Sequence, residues 1–373
     1  IGGIDRGLEF LVANLHLSEK FFCCNRSMRK KMELSRSYHK DFLSSVSATL
    51  VAFLILAAPW AYKVFIHPRP YWIDLYDPEI VYFFDGLYLL NGELPYNYQH
   101  PGIPIQLLSA GISGLMGYGP FDIDKFRVFG YVLAFILNII VGFFLIRTLF
   151  RKLPPTIQVA GLWTYFLNPV ALKHITIWSP ELFYYPAGSL VLITLWGDNS
   201  KKLTYGRASL IGLAIGLCCA IKFAFLCFVV ALVFALLLDP RSDWEKRLKV
   251  TGMGLFGIFI GFIAGTIVVY PLYFKMFGWL WSIASHKGPY GTGSSGLTEL
   301  TTILKNLRRA VFWGKGWNLW LMLTTGFLGY RLWRESLKRD NLSQRHTFLA
   351  VFAFTALIGS YALVIPKGNW DIQ

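Results

Sequence analysis

Residues 208–238 form one apolar run of 31 residues with a single charged side chain, Lys222, near its middle, and basic residues flank it on both sides. Lys201, Lys202 and Arg207 precede the run; Arg241, Lys246, Arg247 and Lys249 follow it. In a membrane-embedded chain basic flanks gather on one side. One continuous helix would separate these two flanks, whereas a fold-back at Lys222 keeps them together. Each arm then has about 15 residues and rises about 22 Å at 1.5 Å per residue, against roughly 30 Å of bilayer hydrocarbon. The tip would stay below the far surface, where a cation costs about 3 kcal/mol or more unless it meets water or an anion. A lysine can snorkel to an interface, but from a hairpin this short an anion is the better compensation, and phosphate fits well.

The remaining composition agrees with a helical membrane protein. The chain is 55% hydrophobic and 15% charged, with mean hydropathy +0.48, less charge than soluble domains usually carry. The period-2 alternation of a membrane barrel is absent. A net charge of +15 would suggest nucleic acid in a soluble domain. No nucleic-acid motif accompanies it, and basic loops that set topology account for it, so nucleic acid is not an expected partner. Cys218, Cys219 and Cys227 lie in apolar sequence and Cys23 and Cys24 are adjacent; none has metal-ligand spacing, and all read as packing residues.

Apolar runs and basic flanks predict an all-α polytopic integral membrane protein with about nine transmembrane helices. The spans fall near 42–66, 126–149, 156–177 and 182–196, the two arms of the hairpin, then 250–270, 316–332 and 347–365. Residues 1–41 are expected to be a cytoplasmic N-terminal segment, of which 1–27 read unlike a native start; 42–373 form the transmembrane domain, with the C-terminal end read as truncated. Trp60, Trp178, Trp196, Trp317 and Trp333 fall near predicted span ends, as interfacial aromatics do. Two large loops, 67–125 and 273–315, are expected outside the cell or in a lumen and to form the site. Within the first, Ile80–Leu90 and Gly102–Gly117 are too short to cross and read as interfacial helices.

On this layout acids and cations collect on the outer face. Asp77 and Glu79, in Asp77-Pro78-Glu79, are candidates for a general base, which must be ionised and within reach of an acceptor. The same triplet also suits a helix start. Glu181 sits in the short turn Trp178-Ser179-Pro180-Glu181. Ser179 as a cap with Pro180 in the first turn explains it; orienting an acceptor or holding a metal is the functional alternative. Lys222 is the candidate phosphate ligand, with His286, Lys287 and Tyr290 in the second outer loop able to join it. His100 is a candidate for substrate binding; it could also combine with the carboxylates around a divalent metal ion, though no spacing shows such a site, so the metal ligands stay unassigned. Gly291-Thr292-Gly293-Ser294-Ser295-Gly296 matches G-x-G-x-x-G, but no strand precedes it, which argues against a dinucleotide site.

The stretch from Asp77-Pro78-Glu79 through Tyr82-Phe83-Phe84-Asp85-Gly86-Leu87-Tyr88-Leu89-Leu90-Asn91-Gly92 to His100-Pro101-Gly102 resembles the first outer loop of GT-C glycosyltransferases, which include protein O-mannosyltransferases and bacterial aminoarabinose transferases. Gly212 to Leu217 followed by Ala220-Ile221-Lys222-Phe223 is similar to that family's Gly-rich helix ending in a lysine. The resemblance implies inverting transfer of a sugar from a polyprenyl-phosphate carrier to a lipid, glycan or protein acceptor on the outer or luminal face of the bilayer. It places the base at Asp77 or Glu79 and the lipid-phosphate ligand at Lys222. Pro78 separates acids that the family usually has adjacent. Two rival readings are a lipid-linked-sugar transporter or flippase, which needs charges along a path, and a non-catalytic membrane subunit of envelope polysaccharide assembly.

Overall fold

The computed structural model describes residues 77–98, 102–149, 177–196, 203–239, 242–284 and 351–356, with isolated residues between 46 and 55, between 304 and 330, and at 358. Among these residues the chain is all-α, without strands. The principal helices are α1 (Asp77–Leu90), α2 (Ile103–Met116), α3 (Ile123–Leu149), α4 (Tyr184–Trp196), α5 (Tyr205–Ile221), α6 (Leu226–Leu237), α7 (Trp244–Thr266) and α8 (Tyr273–Ala284). Short 3₁₀ turns, Pro180–Phe183, Phe223–Phe225 and Ile267–Leu272, lead into α4, α6 and α8.

Two helices among the described residues are long and apolar enough to cross a membrane, Ile123–Leu145 and Trp244–Ser282. This overturns the expectation of a polytopic protein with nine spans, and the multi-pass localisation built on it does not stand. Segments read as spans form shorter elements. Helices α4, α5 and α6 have 13, 17 and 12 residues, each short of the roughly 20 that a crossing needs. All but the last residue of the predicted span 156–177 and most of 42–66, 316–332 and 347–365 lie outside the described residues.

The fold-back at Lys222 is present. Helix α5 stops at Ile221 and Lys222 takes an extended conformation, φ −160° and ψ 137°. The 3₁₀ turn then reverses the chain into α6. Gly254 on α7 lies against Leu232 and Leu236 of α6 and near the Ala208 carbonyl of α5, so the end of α6 returns beside the start of α5. Helix α7 runs parallel to α5, with Gly257 on Ser209 and Gly261 on Leu213. Glycines permit this contact. A Cβ built on Gly212 or Gly216 would stand 2.0 or 2.1 Å from the carbonyl oxygens of Gly254 and Ile258, and one on Gly257 or Gly261 2.1 or 2.2 Å from those of Ser209 and Leu213. The two backbones therefore touch, the arrangement that small-xxx-small spacing allows.

The basic flanks have a local task. Thr204 caps α5 through its side chain, which accepts from the Arg207 amide, and Asp243 caps α7 by accepting from the Lys246 amide. The Arg207 guanidinium donates to the carbonyls of Thr194 and Leu195 at the end of α4, and Arg247 to that of Leu237 at the end of α6. Cations at helix C-termini satisfy orphan carbonyls and suit the helix dipole. At the opposite end of the bundle, α1 and α2 pack on the start of α3. Helix α1 begins at Asp77 with Pro78 in its first turn, and α2 begins after Gly102, whose φ of 147° and whose closeness to the Tyr82 ring exclude a side chain. Both agree with the short helices expected in the first loop.

Two apolar cores result. One holds Phe83, Ile105, Phe126, Trp178 and Phe183; the other holds Val191, Ile211, Ile215, Leu232 and Phe352. Ile221 packs against both, which places Lys222 at their junction.

Candidate functional site

Glu79 lies inside the first core, 2% exposed. Its Oε1 accepts from the backbone N–H of Trp178 at 2.7 Å and from the Tyr131 hydroxyl, and its Oε2 lies 3.0 Å from Nε of buried Arg127. Arg127 Nε also approaches the Tyr131 hydroxyl, at 3.3 Å. The carboxylate thus ties α1, α3 and the segment before α4 together. A buried carboxylate that already accepts from three donors has little capacity left for an acceptor's proton, so of the two base candidates in the first loop Asp77 remains. The same network explains Trp178. It is fully buried rather than interfacial, its indole Nε1 donating to Ser109 Oγ at 2.8 Å and its ring covering Gly130.

Asp85 forms a second buried centre, with a 0% exposed side chain. Its Oδ1 accepts from the backbone amides of Tyr96 at 3.0 Å and Asn97 at 3.4 Å, and its Oδ2 from Gln106 Nε2 at 2.9 Å. Burial pushes the Asp85 carboxyl up, while these donors, the two amides and Gln106, pull it down. Asp85 thus fastens the loop after α1 to α2.

The third centre is Lys222. Its ammonium pairs with Glu181 Oε1 and lies 5.5 Å from the centre of the Tyr184 ring, a cation–π contact. The side chains are 20% and 11% exposed, so the pair is largely sheltered yet reachable. Glu181 comes from the 3₁₀ turn that opens α4, and Lys222 from the tip between α5 and α6. Burial pushes the Lys222 ammonium down to about 8. Ser179 does start the turn, but its hydroxyl makes no capping bond; Oγ is buried without a partner. Pairing of Glu181 with Lys222 is thus a use of that acid beyond the helix-start reading.

Of the residues singled out in the sequence, the structure brings Glu181 and Lys222 into contact and sends Glu79 inward. Helix α1 includes Asp77. His100, His286, Lys287 and Tyr290 lie outside the described residues, as does the glycine-rich stretch 291–296. Sequence reasoning missed Tyr184, Arg127, Tyr131 and Gln106. Arg127 stood in the charged first turns of α3 beside Asp124 and Lys125, and nothing local marked it as the one that turns inward. The tyrosines carried no signal, since the chain has 19 of them. Among the described residues no group of three or more His, Cys, Asp or Glu side chains could hold a metal ion, and the described cysteines are buried among apolar residues, as packing residues should be.

Compared with protein-family models, curated proteins and solved structures, the chain matches none. The likeness to GT-C glycosyltransferases drawn from residues 77–102 and 212–223 is therefore overturned as a family assignment, along with the layout it implied.

Proposed function

We propose that this chain is a glycosyltransferase that takes a sugar from a polyprenyl-phosphate donor, with Lys222 as the ligand for the donor's phosphate. The observation that carries the reading is the Lys222–Glu181 pair at the junction of the two cores, roofed by Tyr184. A sheltered lysine with one carboxylate partner can exchange that partner for the donor's phosphodiester, whose two free oxygens accept charge-assisted hydrogen bonds from the ammonium. The exchange frees Glu181 where a base is useful. An acceptor hydroxyl or amine attacks the anomeric carbon, and the bond from that carbon to the phosphate oxygen breaks. The electron pair leaves on the phosphate, neutralised by Lys222, and the acceptor's proton passes to Glu181 or to Asp77. A single in-line displacement inverts the anomeric centre. Lys222 and Glu181 stand together at one end of the bundle, with Asp85 held among the elements packed there, which favours transfer over passage along a charged path.

Transfer assays with a panel of polyprenyl-phosphate sugars test the reading. Lys222→Met is expected to lower kcat/KM by about a hundredfold, the scale of a lost charge-assisted contact. Absence of transfer by the wild-type chain from every donor, or full activity of Lys222→Met, would overturn it.

A pH profile gives a second expectation. Lys222 carries its proton below about pH 8, so donor binding is complete below that pH and weakens as pH rises through it. KM for the donor should climb about tenfold per unit above pH 8, the limiting slope for loss of one proton. Lys222→Arg, whose guanidinium stays charged, should flatten the rise. A KM independent of pH between 7 and 10 in the wild-type chain would contradict the role.

A further inference from the structure

The loop that follows α1 is exposed, yet a fully buried carboxylate holds its backbone. Gly92, with φ 76°, turns the chain out of α1, and Asp85 accepts from the amides of Tyr96 and Asn97 while Gln106 braces its other oxygen. Pro95 is buried against the body of the protein. Burying a carboxylate is costly unless its hydrogen bonds are made, and here those bonds fix the position of a surface loop. Between that loop and Leu272, at the end of α7's 3₁₀ extension, lies an open pocket of about 410 Å³ lined by Tyr88, Glu93, Leu94, Tyr96 and Tyr98, with Pro95 beneath. This volume falls within the roughly 300–1,000 Å³ of small-molecule sites.

The lining chemistry is selective. Tyr96 is 76% exposed and Tyr88 43%, and both border the opening, so tyrosine side chains, each an apolar ring with a polar hydroxyl, are accessible there. Among the described residues Glu93 supplies the lining's one carboxylate, and the lining contains no Lys, Arg or His. Such a surface disfavours a phosphate. Rings with an apolar face and a polar rim suit a ligand that is apolar on one side and hydroxylated at its edge, with the carboxylate accepting from hydroxyls. That ligand class is a neutral saccharide.

We infer that the pocket between the 91–98 loop and Leu272 is a saccharide-binding site, separate from Lys222, that receives the acceptor sugar of the transfer reaction. Its function as an acceptor site rests on the glycosyltransferase reading; the binding of a saccharide does not. Leu272 follows the C-terminal end of α7, which lies at the same end of the bundle as the Lys222 turn, so both ligands would approach from one side.

Saturation-transfer NMR with the full chain tests it, using methyl mannoside, methyl glucoside and chitobiose as probes and inorganic phosphate and a Lys-Tyr-Lys peptide as comparisons. At least one saccharide should bind, with affinity lowered tenfold or more in Tyr96→Ala and several-fold in Glu93→Gln, while Lys222→Met binds as the wild type does. Tyr96 is exposed, so its truncation leaves the fold in place, and an unchanged thermal transition checks this. Binding that vanishes in Lys222→Met but survives in Tyr96→Ala overturns the inference, as does preference for the peptide or phosphate, or absence of binding by all three saccharides. Saccharide binding without any transfer activity would leave the site standing and remove the reaction; transfer without binding in this pocket would do the reverse.

Discussion

Gly261→Leu is expected to destabilise the chain by at least about 3 kcal/mol, the upper part of the range for overpacking a close contact. The reason is geometric. A Cβ at Gly261 would lie 2.2 Å from the Leu213 carbonyl oxygen, 3.0 Å from its carbonyl carbon and 3.0 Å from its Cα. These are backbone atoms of a helix interior, and they cannot turn aside as a side chain would. Helices α5 and α7 must separate, and every contact along the seam, including Gly212 on Gly254 and Gly216 on Ile258, loosens with them. Separation also disturbs the tip that presents Lys222. Gly252→Ala, on the same helix, is the matched control. A Cβ there meets nothing within 4 Å, so the substitution should be neutral or stabilise by about 0.4–1 kcal/mol through lost unfolded-state freedom. Equilibrium unfolding of both variants checks the contrast. Equal stabilities would show that the helices are not in backbone contact.

Glu79→Ala should cost about 3–5 kcal/mol, the penalty for leaving one partner of a buried ion pair. Removal takes from the Arg127 guanidinium, 5% exposed, its buried carboxylate partner, leaving it half-exposed Asp124 at 3.6 Å, and leaves the Trp178 amide and the Tyr131 hydroxyl without their shared acceptor. Arg127→Met should be damaging for the mirror reason, a carboxylate buried without its cation. The double variant Glu79→Leu with Arg127→Met removes both charges and should be less destabilised than Glu79→Ala. This pattern separates a fastening role from a catalytic one. A base would lower kcat at unchanged stability, and a second substitution at Arg127 would restore nothing. Strictly additive losses in the double variant would contradict the pairing.

The sequence made the break at Lys222 legible, because a lone cation between matching basic flanks has few solutions other than a reversal. The short helices of the first loop were legible too, from Asp77-Pro78 at one start and Gly102 and Gly117 at the ends of the next. Less visible was which acids face inward. Glu79 and Asp77 are two residues apart, yet the partners that hold Glu79 are Tyr131 and Trp178, 52 and 99 positions away. No local pattern distinguishes a helix-capping acid from one that reaches such partners. Trp178 misled for a related reason. A tryptophan at the end of an apolar run resembles an interfacial anchor until Ser109 and Gly130, both distant in sequence, close over it. The number of spans failed where apolar runs were equated with crossings; α4, α5 and α6, at lengths of 12 to 17 residues, each bury one face, α5 and α6 against α7 and α4 against α3 and α5, while Leu190, Leu210 and Phe234 stay exposed.

Lys222 as an anion ligand is tested most directly by binding, without any acceptor present. Farnesyl phosphate titrated into the full chain at pH 6.5 should bind with an affinity that falls tenfold or more at pH 9, and Lys222→Met should bind weakly at both. Equal affinity of the wild-type chain and Lys222→Met at pH 6.5 would contradict the account, because the phosphate would then be held by something other than the ammonium at the hairpin tip.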